Sequence, residues 1–118
     1  VLGAAYKVRF YPLEKLINLH DSYLRNFRID HHNLLLIQRH GEVFLIEGQC
    51  PHRAHPLDTA TIDGGVIQCT LHQYQFELGS GRLLHASEER CRNLRTYEPI
   101  FQGNEVGVML EDMEEGAT

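Results

Sequence analysis

Short apolar stretches separated by turn residues recur along the whole chain, and this pattern predicts an all-β protein. The expected strands are Tyr6 to Phe10, Leu24 to Ile29, Leu34 to Arg39, Glu42 to Glu47, Val66 to Cys69, Gln75 to Leu78, Arg82 to Leu84, Arg95 to Phe101 and Glu105 to Leu110. Turn signals lie between them, such as His40-Gly41, Asp63-Gly64-Gly65 and Gly79-Ser80-Gly81. Many short strands with regular turns indicate an antiparallel barrel or sandwich.

Two stretches depart from the strand pattern. Pro12 opens a segment up to Leu19 in which apolar residues fall at helical spacing, so we expect one or two helical turns or a capped turn there. The last segment, 111–118, is acidic and built of small residues, and we expect a frayed tail. With 118 residues, the chain is expected to form a single domain over 1–118.

Charge and cysteine content narrow the class of protein. A net charge of −5 argues against binding to nucleic acid or to an anionic membrane. No apolar run reaches the 18 residues that a membrane span needs, and Val1 to Ala5 is too short for a signal peptide. The missing initiator Met leaves a removed leader possible. Three cysteines are an odd count, so a disulfide framework is not expected, and a reducing cytoplasm fits best.

The chemistry of the chain is concentrated in two short Cys/His turns. Cys50-Pro51-His52 has the spacing C-x-H, and Cys69 to His72 has the spacing C-x-x-H, with sixteen residues between the two runs. Thiolate and imidazole ligands suit zinc, copper or iron–sulfur centres, and not calcium or magnesium. Two interpretations stay open: a tetrahedral Cys2His2 zinc site, and a [2Fe–2S] cluster in which two His replace two Cys on one iron. Zinc fingers usually pair Cys with Cys and His with His, so the mixed turns favour the cluster.

The residues around these turns carry a resemblance to a known family. The run C-P-H-R-x-x-P-L, followed by C-x-L-H-x-x-x-F-x-L-x-x-G, resembles the Rieske ferredoxin family, and the likeness covers roughly residues 34–110. The resemblance implies a Rieske-like β-sandwich with a small inserted cluster-binding subdomain at about 49–77. It also implies one [2Fe–2S] cluster, with Cys50 and Cys69 as ligands of the buried iron and His52 and His72 as ligands of the exposed iron.

The chain departs from that family at several positions. Ala54 and Gln73 stand where the family usually has Gly, which adopts positive φ at little cost, so the backbone there need not follow the family's. A proline common in the family's third loop is missing from 80–90.

The high-potential members of the family differ from this chain around the cluster. They carry an extra disulfide, whose positions match His55 and Leu71 here, so that bridge is absent. They also place Ser and Tyr hydroxyls near the cluster, where this chain has Tyr74 and Phe76. Fewer hydrogen bonds to sulfur stabilise the reduced cluster less, so we expect a potential toward the low end of the Rieske range.

The resemblance implies a soluble one-electron carrier that links a flavin reductase to a terminal oxygenase. Its docking rim would include Leu71, His55 and Gln73. A Rieske oxygenase needs a further mononuclear-iron domain, for which 118 residues leave no room, so we expect an electron-transfer component rather than a catalyst. Two alternatives remain: a small Rieske-like subunit of a reductase such as nitrite reductase, and a Cys2His2 zinc-stabilised interaction module.

The other chemistry-bearing residues have simpler interpretations. The six remaining histidines are expected on the surface or in turns, and Cys91 is expected to be a core or surface thiol. The charged run from Glu88 to Arg92 is most simply a solvated loop.

Overall fold

The structure, a computed structural model, describes residues 6–113, and these are almost entirely β. Its strands are β1 (Tyr6–Lys15), β2 (Leu24–Ile29), β3 (His32–Arg39), β4 (Glu42–Glu47), β5 (Thr61–Asp63), β6 (Val66–Gln68), β7 (Gln75–Glu77), β8 (Leu83–His85), β9 (Thr96–Tyr97), β10 (Ile100–Gln102) and β11 (Glu105–Met113). One 3-10 turn, Leu16–Asn18, follows β1. All strand pairs are antiparallel, which confirms the predicted fold class.

The described residues form two compact units. One is made of the described parts of Val1–Leu19 and Glu98–Thr118, and it holds a three-stranded sheet in the order β1-β11-β10. The other is His20–Tyr97, with two four-stranded sheets in the orders β2-β3-β4-β9 and β5-β6-β7-β8. The single domain over 1–118 and the subdomain boundaries at 49–77 stay predictions. Within residues 6–113, no helix is long and apolar enough to cross a membrane.

In the unit formed by the two ends of the chain, the structure differs from two expectations. The helical turns expected from Pro12 to Leu19 are wrong for the first half, because β1 stays extended to Lys15. Pro12 lies in an edge strand opposite Gly107, beside a shift in register, where a missing N–H is tolerated. The acidic tail is paired rather than frayed up to Met113, opposite β1, and residues 114–118 lie outside the described part of the chain.

The strand expected from Arg95 to Phe101 divides into two. Thr96–Tyr97 pairs with β4, whereas Ile100–Gln102 pairs with β11. Pro99 lies in the gap between them, and proline has no backbone N–H to continue a ladder. The alternation of apolar residues therefore predicted one strand where the structure has two strands with different partners.

The larger unit is organised by the hairpin of β3 and β4. His40 and Gly41 both have positive φ, 51° and 76°, as a two-residue type I′ turn requires, and they set Arg39 opposite Glu42. The hairpin contributes Leu35, Ile37 and Ile46 to the core of this unit. This core also contains residues from the second sheet and its loops: Cys50, Leu57, Ile67, Cys69, Tyr74, Phe76, Leu78, Leu83 and Leu94. Because the core includes both cysteines of the predicted site, folding of this unit buries them.

The second sheet of the larger unit carries the predicted site. The expected hairpin around Gly79-Ser80-Gly81 is present, with Phe76 opposite Leu83. Strand β5 was not expected from the sequence, and it pairs with β6 so that Ile62 lies opposite Ile67. It has only three residues, which is too short for an alternating pattern to stand out.

Candidate metal centre

Two closed loops bring the Cys/His turns into position. In the first, Gly48 accepts a hydrogen bond from the Leu57 N–H (2.8 Å), and the Cys50 N–H donates to the His55 carbonyl (2.8 Å). In the second, the Cys69 N–H donates to the Tyr74 carbonyl (2.9 Å) at the end of the β6–β7 hairpin. Each pair of potential ligands therefore lies in a loop whose ends are fixed by backbone hydrogen bonds.

The structure brings the two predicted cysteines into one cluster and the two predicted histidines into contact with each other. Cys50 and Cys69 are fully buried in one core cluster. The His52 and His72 rings have centroids 5.4 Å apart. The His52 side chain is only 3% exposed, whereas that of His72 is 39% exposed. The four residues thus form an arrangement with two sulfurs inside and one imidazole edge at the surface.

Left-handed backbone shapes both loops. Ala54, His72 and Gln73 have φ of 54°, 64° and 58°, a region that favours Gly. Ala54 and Gln73 are the two positions where the family that the chain resembles usually has Gly. The backbone there therefore keeps a Gly-like conformation although neither residue is Gly. The backbone N–H of Ala54 donates a hydrogen bond to the Cys50 carbonyl (2.7 Å), which fixes this conformation in the first loop.

Burial makes the free thiols poor acids. Burial, together with the neighbouring Cys69, raises the pKa of the Cys50 thiol to about 12, against the lowering effect of a backbone hydrogen bond from His52. Burial also raises the pKa of Cys91, which is half-buried at the margin of the same core. All three cysteines are free thiols. A buried thiol of this kind becomes a thiolate when a metal replaces its proton.

The orientation of His52 supports a ligand on its inner side. Its Nδ1 is buried and, among the described residues, has no hydrogen-bond partner. Its Nε2 lies 3.1 Å from Glu88 Oε1 and 3.3 Å from Arg53 Nε. A buried ring nitrogen without a partner is costly, and a metal bond would remove that cost. The donor set of two buried sulfurs and this nitrogen therefore suits a metal centre.

The third loop lies against the site through contacts that were not expected from the sequence. Residues Glu88–Arg92 are exposed apart from the half-buried Cys91, as expected of a solvated loop, but one carboxylate oxygen of Glu88 also approaches both histidine rings. Ser87 Oγ donates to the His72 carbonyl, and Tyr74 OH donates to the Glu89 carbonyl. These contacts join residues far apart along the chain, and no fixed spacing in the sequence signals them.

Comparison with known proteins decides the family. The family profile of the Rieske [2Fe-2S] domain matches residues 9–98. The chain belongs to the Rieske [2Fe-2S] domain family. Membership implies a [2Fe–2S] cluster as cofactor, and the donor set above fits such a group, since Rieske centres use both thiolate and imidazole ligands.

Individual relatives of this Rieske chain are redox proteins. It is 31% identical over 77 residues, 65% of its length, to the ferredoxin component of a naphthalene 1,2-dioxygenase system of Pseudomonas aeruginosa, of which it spans 72%. It is 39% identical over 49 residues, 42% of its length, to 4beta-methylsterol monooxygenase of Methylococcus capsulatus, of which it spans 13%.

A solved structure supports the fold. The ferredoxin–oxygenase complex of carbazole 1,9a-dioxygenase contains a chain of similar fold, with a TM-score of 0.72 and 23% identity. The match covers 84% of this Rieske chain and 91% of that chain.

Proposed function

We propose that this chain is a Rieske-type ferredoxin that carries one electron at a time, and that Cys50, His52, Cys69 and His72 hold its [2Fe–2S] cluster. The observation that carries the proposal is that the two loops place their cysteines in one buried cluster and their histidine rings 5.4 Å apart. The cysteines would hold the inner iron and the histidines the outer iron. When bound, the cluster supplies reversible one-electron chemistry.

The protein residues have three tasks in this function. The apolar core around Cys50 and Cys69 excludes water from the sulfurs. The Tyr74 ring stacks on His52 at 4.0 Å, with 12° between the planes, and fixes one imidazole. The exposed edge of His72 offers the shortest route for an electron to leave, because electron transfer falls steeply with distance. Leu71, His55 and Gln73 are the proposed docking rim around it.

The potential is proposed to lie toward the low end of the Rieske range, roughly −150 to +300 mV. The Tyr74 hydroxyl donates its hydrogen bond to the Glu89 carbonyl, so its proton is used for a backbone contact and not for a sulfur. Phe76 is buried and has no donor. Fewer hydrogen bonds to the sulfurs keep the potential low.

The proposed partners are a flavin reductase as electron donor and a terminal oxygenase as acceptor. Support comes from the Pseudomonas aeruginosa relative, which is the ferredoxin component of a dioxygenase system. The proposed compartment is the cytoplasm, where the three free thiols would stay reduced. A second candidate follows from the likeness to the monooxygenase of Methylococcus capsulatus: the same centre would then serve as the electron-entry domain of an oxygenase.

The first experiment is an iron, sulfide and zinc assay on the purified chain, with low-temperature EPR after dithionite reduction. Two irons and two sulfides per chain, with a rhombic signal whose average g is clearly below the free-electron value, are the expected result. Reductive titration should consume one electron per chain. A colourless chain with one zinc and no acid-labile sulfide would overturn the proposal in favour of a zinc-stabilised module.

A ligand substitution tests the assignment of the outer iron. His72→Cys should retain a cluster and lower its potential sharply, because a thiolate adds negative charge. The matched control is His85→Cys, which places a cysteine at an exposed histidine of β8 outside the proposed ligand set. Equal potentials of the two variants would exclude His72 as a ligand.

A further inference from the structure

We infer that Glu88 is a positioning residue of the redox site, which fixes the two outer imidazoles through one carboxylate oxygen and holds the reduction potential down by its charge. The inference rests on the proposed function. It assigns a role to a loop that lies outside the two Cys/His turns.

The contacts of Glu88 converge on a single oxygen. Its Oε1 lies 3.1 Å from His52 Nε2, 3.5 Å from His72 Nδ1 and 3.6 Å from Arg53 Nη2. The nearest of these partners is a nitrogen of a ring that is almost completely buried. A carboxylate oxygen at ion-pair distance from both rings favours the ring orientations that turn these nitrogens toward it, as groups beyond the ligands do in metal sites.

The backbone on both sides of Glu88 is anchored to the same site. Ser87 Oγ donates to the His72 carbonyl, and the Glu89 carbonyl accepts a hydrogen bond from Tyr74 OH. Tyr74 is fully buried and stacks on His52. Three consecutive loop residues therefore hold the two histidine segments, and Glu88 is aimed by this arrangement rather than placed by free rotation on the surface.

The charge of Glu88 predicts the direction of its effect on the potential. Reduction adds one negative charge at the site, and a neighbouring carboxylate disfavours that charge. Arg53 lies close enough to offset part of the effect, and both side chains are partly exposed, so solvent screens it further. We therefore expect removal of the charge to favour reduction about tenfold, which for one electron is a rise of about 59 mV.

The test compares Glu88→Gln with the matched control Glu89→Gln. Both substitutions remove one negative charge from adjacent exposed residues. Among the described residues, however, the Glu89 carboxylate makes no hydrogen bond or ion pair, whereas that of Glu88 contacts both rings. Potentials are measured by titration of the cluster-loaded proteins, with EPR of each reduced form, at low salt and at 1 M NaCl.

Glu88→Gln should raise the reduction potential by about 59 mV, which is a tenfold change in the equilibrium constant for reduction. It should also change the g values of the reduced cluster. Most of the shift in potential should remain at 1 M salt, where charges are screened within about 3 Å. Glu89→Gln should shift less, and its shift should vanish at high salt. Loss of iron from Glu88→Gln alone would also support positioning.

Three results would count against the inference. Equal shifts in the two variants would reduce Glu88 to an ordinary surface charge, and an unchanged potential and EPR signal in Glu88→Gln would overturn the inference while the one-electron function stands. A wild-type chain without iron and sulfide would overturn both.

Discussion

The left-handed backbone at Ala54 makes the substitution Ala54→Gly a sharp test of strain in the first loop. Ala54 has a φ of 54°, and its side chain is an exposed methyl group. Its backbone N–H, which donates to the Cys50 carbonyl, is retained in Gly. The substitution therefore removes the cause of strain while it changes almost no packing.

The expected gain follows from two opposing terms. Left-handed φ costs a residue with a Cβ about 1–2 kcal/mol, whereas Gly adds unfolded-state entropy that costs about 0.5–1 kcal/mol. The difference is a stabilisation of about 0.5–1 kcal/mol, or a rise in Tm of about 2–6 °C for a domain of this size.

Thermal unfolding of proteins with equal cluster content, followed by visible absorbance and far-UV circular dichroism, measures the effect. The mirror-image control is Gly64→Ala. Gly64 has a φ of 58° and nothing within 4 Å of an added Cβ, so Ala there acquires the strain that Ala54 already carries. Its Tm should fall by a similar amount. A fall in Tm for both variants would show that Ala54 is unstrained and refute the reasoning.

Three further substitutions test other parts of the structure. Gly81→Ala should prevent folding at 37 °C, since its Cβ would lie 2.1 Å from a backbone carbonyl oxygen at a φ of 78°, and soluble yield with circular dichroism checks this. Tyr74→Phe should keep the stack on His52 but lose the bond to Glu89, which destabilises the loop by about 1 kcal/mol and speeds its amide exchange. The pKa of Asp21 is lowered, mainly by the Gln38 side chain, so its stabilisation is present above pH 4 and lost as pH falls through the lowered pKa. The Tm difference between wild type and Asp21→Asn should therefore shrink below pH 4; a constant difference would contradict the assignment.

The strands that could be predicted are those whose signals are local. His40-Gly41 fixes the β3–β4 hairpin, because both residues take positive φ and an apolar run lies on either side of them. The helical turn predicted at Pro12 was wrong for the opposite reason. Proline is tolerated both in an edge strand and at the start of a helix, so the residue alone does not distinguish the two. The edge position is a property of the sheet, and the local pattern does not contain it.

The candidate ligands could be predicted because their spacing is short. Cys50 and His52 share one loop, and Cys69 and His72 share another, so chain geometry alone nearly fixes each pair. That the two pairs meet could be expected only from the mixture of residue types and from the family resemblance. The structure adds the burial of both cysteines and the difference in exposure between the two histidines.

The sequence by itself determined the all-β class, the two Cys/His turns and the family. These depend on residue type and on separations of a few positions, which survive in a one-dimensional pattern. Only the tertiary structure decided that the third loop contributes Glu88 to the site, 36 positions after His52. The Tyr74 and Ser87 hydrogen bonds hold that loop against the histidine segments, and no local pattern in the sequence encodes such contacts between distant residues.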